Sequence, residues 1–287
     1  MATVQTLTLQ TERMQARVED GLGWMVFNNP ARHNALSLEM WEGIGDILEH
    51  FADNDDVRAV IMRGAGGKAF VSGADISEFD KERANAEQRA SYGVIAGRAT
   101  QWLAKIDKPL IGLIEGYCIG GGLATALSAD VRFATPDSRF GIPAAKLGLG
   151  YEYEGLAKLA RLVGPSRARD IMFSARFMPA SEALSMGLIN FIETRDDIEE
   201  ACVAYAKTIA GNAPLTVKAA KAAINAWERG SRSDEARARP SSEARASGST
   251  GTDDLAKLAA SCFHASASRS MKREAATSSA RLAISRS

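Results

Sequence analysis

Cysteine and histidine are both scarce in this sequence. Its three cysteines, Cys118, Cys202 and Cys262, are widely separated among 287 residues and odd in number. Because they lack the short spacing of metal ligands and cannot all pair, they predict neither a metal site nor a disulfide framework, and they favour a reducing cytoplasm. The three histidines occur in no recognisable catalytic spacing.

The sequence also lacks an excess of either charge. Its 35 Lys and Arg residues balance 35 Asp and Glu residues, which argues against nucleic acid or an anionic membrane as a partner. No uncharged apolar stretch reaches membrane-spanning length, and the first ten residues lack a basic region followed by an apolar run. These absences predict a cytoplasmic protein that binds a small molecule.

Large apolar side chains are missing from one region near the C-terminus. Residues 231–254 contain no aliphatic side chain larger than alanine and no aromatic one, so they cannot bury a core. We expect three regions: an α/β core over residues 1–195, a helical segment over 196–230, and a poorly ordered Ser/Ala/Arg-rich tail over 231–287. A natural flexible tail and a shifted reading frame both explain this composition.

The rest of the chain has apolar residues in abundance, at 46% of the whole. Residues 22–27 and 57–63 are apolar runs typical of buried strands, and Ser37 is placed to cap a helix whose apolar face runs from Leu38 to Phe51. Strand-like and helix-like stretches then alternate, ending in two helices over residues 198–209 and 215–227. This order predicts an α/β fold with a buried parallel sheet.

Two glycine-bearing turns stand out. Residues 110–130 predict a buried strand, a turn at Gly120–Gly122 and a short helix. A helix that begins there would present unpaired N–H groups to an oxyanion, although a triple glycine also fits a tight turn with a packing role alone. A second turn, at Gly73, follows the 57–63 strand. Two such turns could direct two N–H groups at one oxygen.

These turns belong to a longer series of motifs, whose order and spacing resemble those of the crotonase superfamily of enoyl-CoA hydratases and isomerases. The resemblance extends from about Val18 to about Arg229. The matching motifs are Asn29-Pro30, Asn34-Ala35-Leu36-Ser37, Lys68-Ala69-Phe70, Gly73-Ala74-Asp75-Ile76, Gly116, Gly120–Gly122, Ala129-Asp130 and Phe140-Gly141. The resemblance implies a crotonase-like spiral of strand–strand–helix repeats, followed by C-terminal helices.

The same resemblance implies an acyl-CoA substrate and an assembly, a homotrimer or a dimer of trimers. Coenzyme A would be part of the substrate, and no separate cofactor or metal is implied. An enolate formed from the thioester would accept hydrogen bonds from the backbone amides of Ala74 and Gly121. By the same resemblance, residues that line the substrate include Arg32, Asp75, Ile76 and Ser77. Asp75 could instead cap a helix, and Arg32 could be a solvated surface residue.

The usual acid–base groups of the family are absent. Its hydratases use two glutamates, and the matching positions here hold Ala124 and Ala144, which cannot transfer a proton. Glu152 is the remaining carboxylate that best matches the position of an acid–base residue in other members of the family, although it could be only a charge at a helix N-terminus. Glu115 could approach the ligand, but we interpret it as an exposed loop carboxylate. Cys118 could be a nucleophile, but the sequence shows no base partner for it, so we interpret it as a buried, inert thiol. The sequence thus predicts an enoyl-CoA hydratase/isomerase-like enzyme or, alternatively, a catalytically impaired acyl-CoA-binding or interaction protein.

Overall fold

A computed structural model describes residues 4–75, 86–151 and 153–230. The chain forms two compact units, Met1–Pro214 and Leu215–Ser287, each considered by itself. The described residues of the second unit, 215–230, belong to the helix Pro214–Gly230. The sequence predicted a helix over residues 215–227. The expected boundaries after residues 195 and 230 stay predictions, and the tail over 231–287 lies outside the described residues.

The first unit contains a seven-stranded sheet with the order β1-β2-β3-β4-β6-β8-β11. From β3 onward every neighbouring pair is parallel, and β3, β4 and β6 are almost completely buried, as predicted. The strands of the unit are β1 (Gln5–Thr6), β2 (Met14–Glu19), β3 (Leu22–Phe27), β4 (Ala59–Gly64), β5 (Ala69–Val71), β6 (Leu110–Ile114), β7 (Tyr117–Ile119), β8 (Val131–Ala134), β9 (Arg139–Gly141), β10 (Met178–Pro179) and β11 (Phe191–Ile192).

The predicted parallel sheet has an antiparallel start, which the sequence analysis did not predict. Strands β2 and β3 form a hairpin in which Glu19 pairs with Leu22. The two residues between them, Asp20 and Gly21, both have positive φ, 51° and 78°. This two-residue turn twists in the sense that a hairpin requires, and Asp-Gly is the sequence that favours it.

A second, four-stranded sheet has the order β10-β9-β7-β5, and it corrects the interpretation of residues 110–130. That stretch forms two strands, β6 and β7, before its helix begins. Gly116 separates the strands with φ 68°, and a methyl group on its Cα would lie 2.0 Å from the carbonyl oxygen of Lys68. Only glycine allows the backbone to turn this sharply against another segment.

Helices cover both faces of the large sheet. Helix α1 begins after Ser37, whose hydroxyl accepts a hydrogen bond from the Met40 N–H, as the sequence predicts. Across the described residues, no helix is both long and apolar enough to cross a membrane. The helices are α1 (Leu38–Asp53), α2 (Ala86–Lys105), α3 (Gly121–Ala126), α4 (Ala144–Leu147), α5 (Tyr153–Val163), α6 (Pro165–Ser174), α7 (Ala180–Ser185), α8 (Ile198–Gly211) and α9 (Pro214–Gly230).

The core of the first unit consists of two apolar clusters. The larger one packs side chains of α1, such as Ile44 and Leu48, together with Met25, Phe27 and other strand residues. The smaller one contains Trp24 and Ile61 from the strands and packs against α8. Because both faces of the central strands are covered, their apolar runs do not alternate with polar residues.

Candidate active site

A buried asparagine fixes the loop between β3 and α1. The Asn34 side-chain nitrogen donates to the carbonyl oxygens of Ala65, at 3.0 Å, and Ala69, at 2.8 Å. Its side-chain oxygen accepts a hydrogen bond of 2.8 Å from the Asn29 N–H. Asn34 is 1% exposed and has a φ of 55°, a left-handed conformation that asparagine tolerates better than most residues. The loop is therefore held against the end of β4 and the start of β5.

The segment after β5 is held by this loop through backbone hydrogen bonds. The Leu36 N–H donates to the Gly73 carbonyl at 2.8 Å, and the Asp75 N–H donates to the Leu36 carbonyl at 2.9 Å. Leu36 and Ala74 thus form a parallel bridge. In a parallel bridge of this kind, the two residues on either side of Ala74 bond to Leu36, and the residue between them directs its own N–H away from the partner segment. The Ala74 N–H consequently faces away from Leu36.

The triple glycine makes the second turn. Gly120 has φ 54° and ψ −118° and precedes α3, which begins at Gly121. The Gly120 N–H donates to the Gly141 carbonyl at 2.8 Å. A methyl group on the Gly122 Cα would lie 2.0 Å from the Val71 carbonyl oxygen. The turn is therefore packed directly on β5, the strand that precedes the other turn.

The two turns are in contact with each other. A methyl group on the Gly121 Cα would lie 3.8 Å from the backbone nitrogen of Ala74 and 3.9 Å from the Gly73 Cα. Within residues 4–75, 86–151 and 153–230, neither the Ala74 N–H nor the Gly121 N–H donates to a protein acceptor. The fold therefore brings the two predicted amides close together, and neither N–H has an acceptor among the described residues.

Arg32 and Asp75, both predicted to line the substrate, form an ion pair beside these turns. Arg32 Nη1 lies 3.6 Å from Asp75 Oδ1, with the arginine side chain 57% exposed and the aspartate side chain 7% exposed. The Arg32 guanidinium is thus accessible to solvent and is also paired with Asp75, the residue that follows Ala74. Ile76 and Ser77 lie outside the described residues.

The two alanines that match the positions of the family's glutamates lie on separate short helices. Ala124 is half-buried in α3, and Ala144 is buried in the first turn of α4. Glu152 lies outside the described residues, so its role stays a prediction. The preceding residue, Tyr151, packs against the core, and burial raises the pKa of its phenol. Glu154 is exposed in the first turn of α5.

The expectation for Glu115 was wrong, because this carboxylate is not exposed. Its side chain is 12% exposed, and it lies 3.2 Å from Arg63 Nη2 and 3.3 Å from Arg195 Nη1. Arg63 also pairs with Glu199, and Arg195 with Asp137. These ion pairs join the ends of β4 and β6 to α8, so the structure gives Glu115 a bridging role.

The interpretation of Cys118 as a buried thiol is confirmed. Cys118 lies on β7 and is fully buried, and burial raises the pKa of its thiol. Burial likewise raises the pKa of Cys202 to about 12. A thiol with a raised pKa holds little thiolate at neutral pH and is a poor nucleophile.

Sequence reasoning cited Asn34 only as part of a motif and missed its structural role. Its partners Ala65 and Ala69 are 31 and 35 residues away, so no local pattern indicates the contacts. An asparagine between a turn and a helix cap was the one available signal, because asparagine adopts positive φ more readily than most residues.

An α/β fold in which two backbone turns meet beside short parallel strands is the fold of crotonase-type proteins. The enoyl-CoA hydratase/isomerase family model matches residues 17–254, and the chain belongs to this family of enzymes. The match continues beyond residue 229, where the motif resemblance ended.

Individual relatives agree with this assignment. A short-chain-enoyl-CoA hydratase from Clostridium acetobutylicum is 36% identical over 201 residues, covering 70% of this chain and 76% of the relative. The structure of an enoyl-CoA hydratase/carnithine racemase from Magnetospirillum magneticum is 35% identical with a TM-score of 0.70, covering 82% of this chain and 85% of that one. An enoyl-CoA hydratase/isomerase family protein from Hyphomonas neptunium is 33% identical with a TM-score of 0.74, covering 80% and 89%. The predicted family and fold class are confirmed.

Proposed function

We propose that this protein binds an acyl-CoA thioester and stabilises its enolate between the backbone amides of Ala74 and Gly121. The observation that carries the proposal is the contact between the two turns, with both N–H groups free of protein acceptors within the described residues. An oxygen that accepts both hydrogen bonds could carry the negative charge that develops when the thioester is converted to its enolate. Loss of one such donor typically costs about 3–4 kcal/mol of transition-state stabilisation.

Arg32 and residues 75–77 form the proposed binding region for the coenzyme A portion. The exposed guanidinium of Arg32 can pair with a phosphate group, since arginine donates several hydrogen bonds in a fixed geometry. Coenzyme A is part of the substrate in this proposal, and the reaction uses no separate cofactor.

Glu152 is the proposed proton-transfer group. Ala124 and Ala144 cannot exchange protons. Glu152 is the carboxylate that best matches the position of an acid–base residue in other members of the family. Apolar surroundings raise the pKa of a carboxyl group and so bring it toward a useful range at neutral pH. Hydration, isomerisation and carbon–carbon cleavage proceed through an enolate. Thioester cleavage passes instead through a tetrahedral intermediate, whose oxyanion the same two amides could hold. All of these reactions remain within the proposal.

A panel of CoA thioesters with product analysis tests this function. Short-chain 2-enoyl-CoA thioesters come first, because a similar protein from Clostridium acetobutylicum is named a short-chain-enoyl-CoA hydratase. Calorimetry should show tighter binding of thioesters than of the corresponding free acids. Absence of any CoA-thioester binding would refute the proposal.

The second candidate is an acyl-CoA-binding or interaction protein without turnover. The alanines at positions 124 and 144 favour it, because the oxyanion turns are present while the usual acid and base are not. Tight thioester binding without product formation across the panel would select this function.

For assembly we propose a homotrimer or a dimer of trimers, on the strength of the family membership. Light scattering on the full chain and on a chain that ends at residue 230 tests the assembly and the contribution of the tail. The cytoplasmic location stays a prediction.

A further inference from the structure

Asn34 and its three backbone partners form one buried unit, which we call the Asn34 clamp: the Asn34 side chain with the Asn29 N–H and the carbonyl groups of Ala65 and Ala69. The partners come from the loop after β3, the end of β4 and the start of β5. The clamp therefore fixes this loop against both sheets through a single side chain.

The Asn34 side chain packs closely against the backbone of β4. A methyl group on the Cα of Gly64 would lie 2.7 Å from the Asn34 side-chain nitrogen and 2.1 Å from the Ala69 carbonyl oxygen. The side chain thus lies directly against the β4 backbone. Because Asn34 is buried, removing its amide would leave two carbonyl groups without this donor, which is costly inside a protein.

From the clamp, three backbone hydrogen bonds lead to Ala74. The Ser72 N–H donates to the His33 carbonyl at 3.1 Å, and Leu36 makes the two bonds that flank Ala74, at 2.8 and 2.9 Å. His33 and Leu36 lie one residue before and two residues after Asn34. The bonds to Leu36 also turn the Ala74 N–H away from this loop.

We propose that Asn34 is a positioning residue for the oxyanion site: it sets the location of the Ala74 N–H relative to Gly121 without contacting the ligand. The inference rests on the proposed function, because it assigns a role to a residue outside the set that touches the substrate. Misplacing a reacting group by about 1 Å can cost roughly a hundredfold in rate, so a clamp of this kind has a measurable effect.

Asn34→Gly is the main test variant, since glycine keeps the positive φ and removes the side chain with its amide. Asn34→Asp is the second, because it retains the acceptor for the Asn29 N–H and loses both donations. Lys108→Met is the matched control. Lys108 is also a buried side chain, 3% exposed, and it donates to the carbonyls of Phe51 and Asn54. It lies before β6, at the end of that strand opposite Gly116.

The readout is the absorption spectrum of bound hexa-2,4-dienoyl-CoA. Its conjugated thioester absorbs at longer wavelength when the carbonyl oxygen accepts strong hydrogen bonds, whereas a purely structural loosening leaves no such signature. The affinity for free CoA is measured in parallel, because CoA lacks the thioester oxygen. Thermal melts establish that each variant is folded.

The wild type and Lys108→Met should show the same red shift. Asn34→Gly should lose about half of the shift or more and bind the dienoyl thioester roughly tenfold more weakly, with CoA affinity within about twofold of wild type. A folded Asn34→Gly with the full shift overturns the inference, and so does an equal loss in Lys108→Met. If neither Asn34 variant folds, the role is structural and the inference is wrong. If the wild type binds CoA thioesters and the Asn34 variants behave like the wild type, only this inference is refuted. If the wild type binds no CoA thioester, the proposed function is refuted together with this inference.

Discussion

Replacing Gly121 by proline should remove one oxyanion donor while the helix that carries it is retained. Gly121 is the first residue of α3, and Gly120 is its N-cap. The N–H of the first helical residue has no intrahelical acceptor, and the fixed φ of proline suits this position. The added Cβ would lie 3.8 Å from the Ala74 nitrogen, an ordinary contact distance. The added Cβ therefore makes no clash, and the substitution deletes the donor.

The expected loss follows from the number of donors. If the Ala74 and Gly121 amides together hold the enolate oxygen, losing one costs about 3–4 kcal/mol, or a fall of roughly a hundredfold to a thousandfold in kcat/KM. The measurement is turnover of the best thioester from the substrate panel, combined with a thermal melt. The Tm of Gly121→Pro should stay near that of the wild type.

Gly121→Ala is the matched control, because it adds the same Cβ and keeps the N–H. It should retain most of the wild-type kcat/KM. Wild-type turnover in Gly121→Pro would show that this amide is not a donor. An equal loss in Gly121→Ala would show that the added carbon, and not the missing N–H, disrupts the site.

Three further predictions concern the packing, the proton transfer and the tail. Gly122→Ala should lower the free energy of unfolding by about 1–3 kcal/mol, since a methyl group there would lie 2.0 Å from a carbonyl oxygen. Gly97→Ala is the control in an open helical position, and it should raise the free energy of unfolding by about 0.5–1 kcal/mol. Denaturant titration measures both changes. Glu152→Gln should reduce kcat by roughly a hundredfold or more with little change in thioester affinity, and equal kinetics in Glu152→Gln and Glu154→Gln would contradict this role. Removing residues 231–287 should leave the Tm nearly unchanged, and a large decrease in a melting experiment would show that the tail contributes packing.

Local sequence patterns predicted the elements that depend on local interactions. The helix after Ser37 combines a capping hydroxyl with an apolar face, and it forms as expected from Leu38 to Asp53. Gly164 and Pro165 likewise separate α5 from α6, with φ 83° at the glycine, and both residue types are ordinary signals of a helix break. In each case the residues that determine the feature lie within a few positions of it, so the sequence alone is sufficient.

Contacts between distant segments were not predictable in this way. The side chain of Glu115 pairs with Arg63 and Arg195, which are 52 and 80 residues away, and no pattern near position 115 indicates that they meet. Strand β7 has only three residues and lies within a glycine-rich stretch, so its apolar residues were too few to suggest a second strand. It forms because β5 and β9 pair with it on either side.

The proposed oxyanion site depends on both kinds of information. The glycines that allow two sharp turns are visible in the sequence, but the direction of the Ala74 N–H is decided by its pairing with Leu36, a residue from another loop. Neighbouring residues in an extended segment direct their N–H groups to opposite sides, so a shift of that pairing by one residue would turn the Ala74 N–H toward the loop before α1. The site therefore requires that the loop before α1 be held at one fixed position, and the buried hydrogen bonds of Asn34 hold it there.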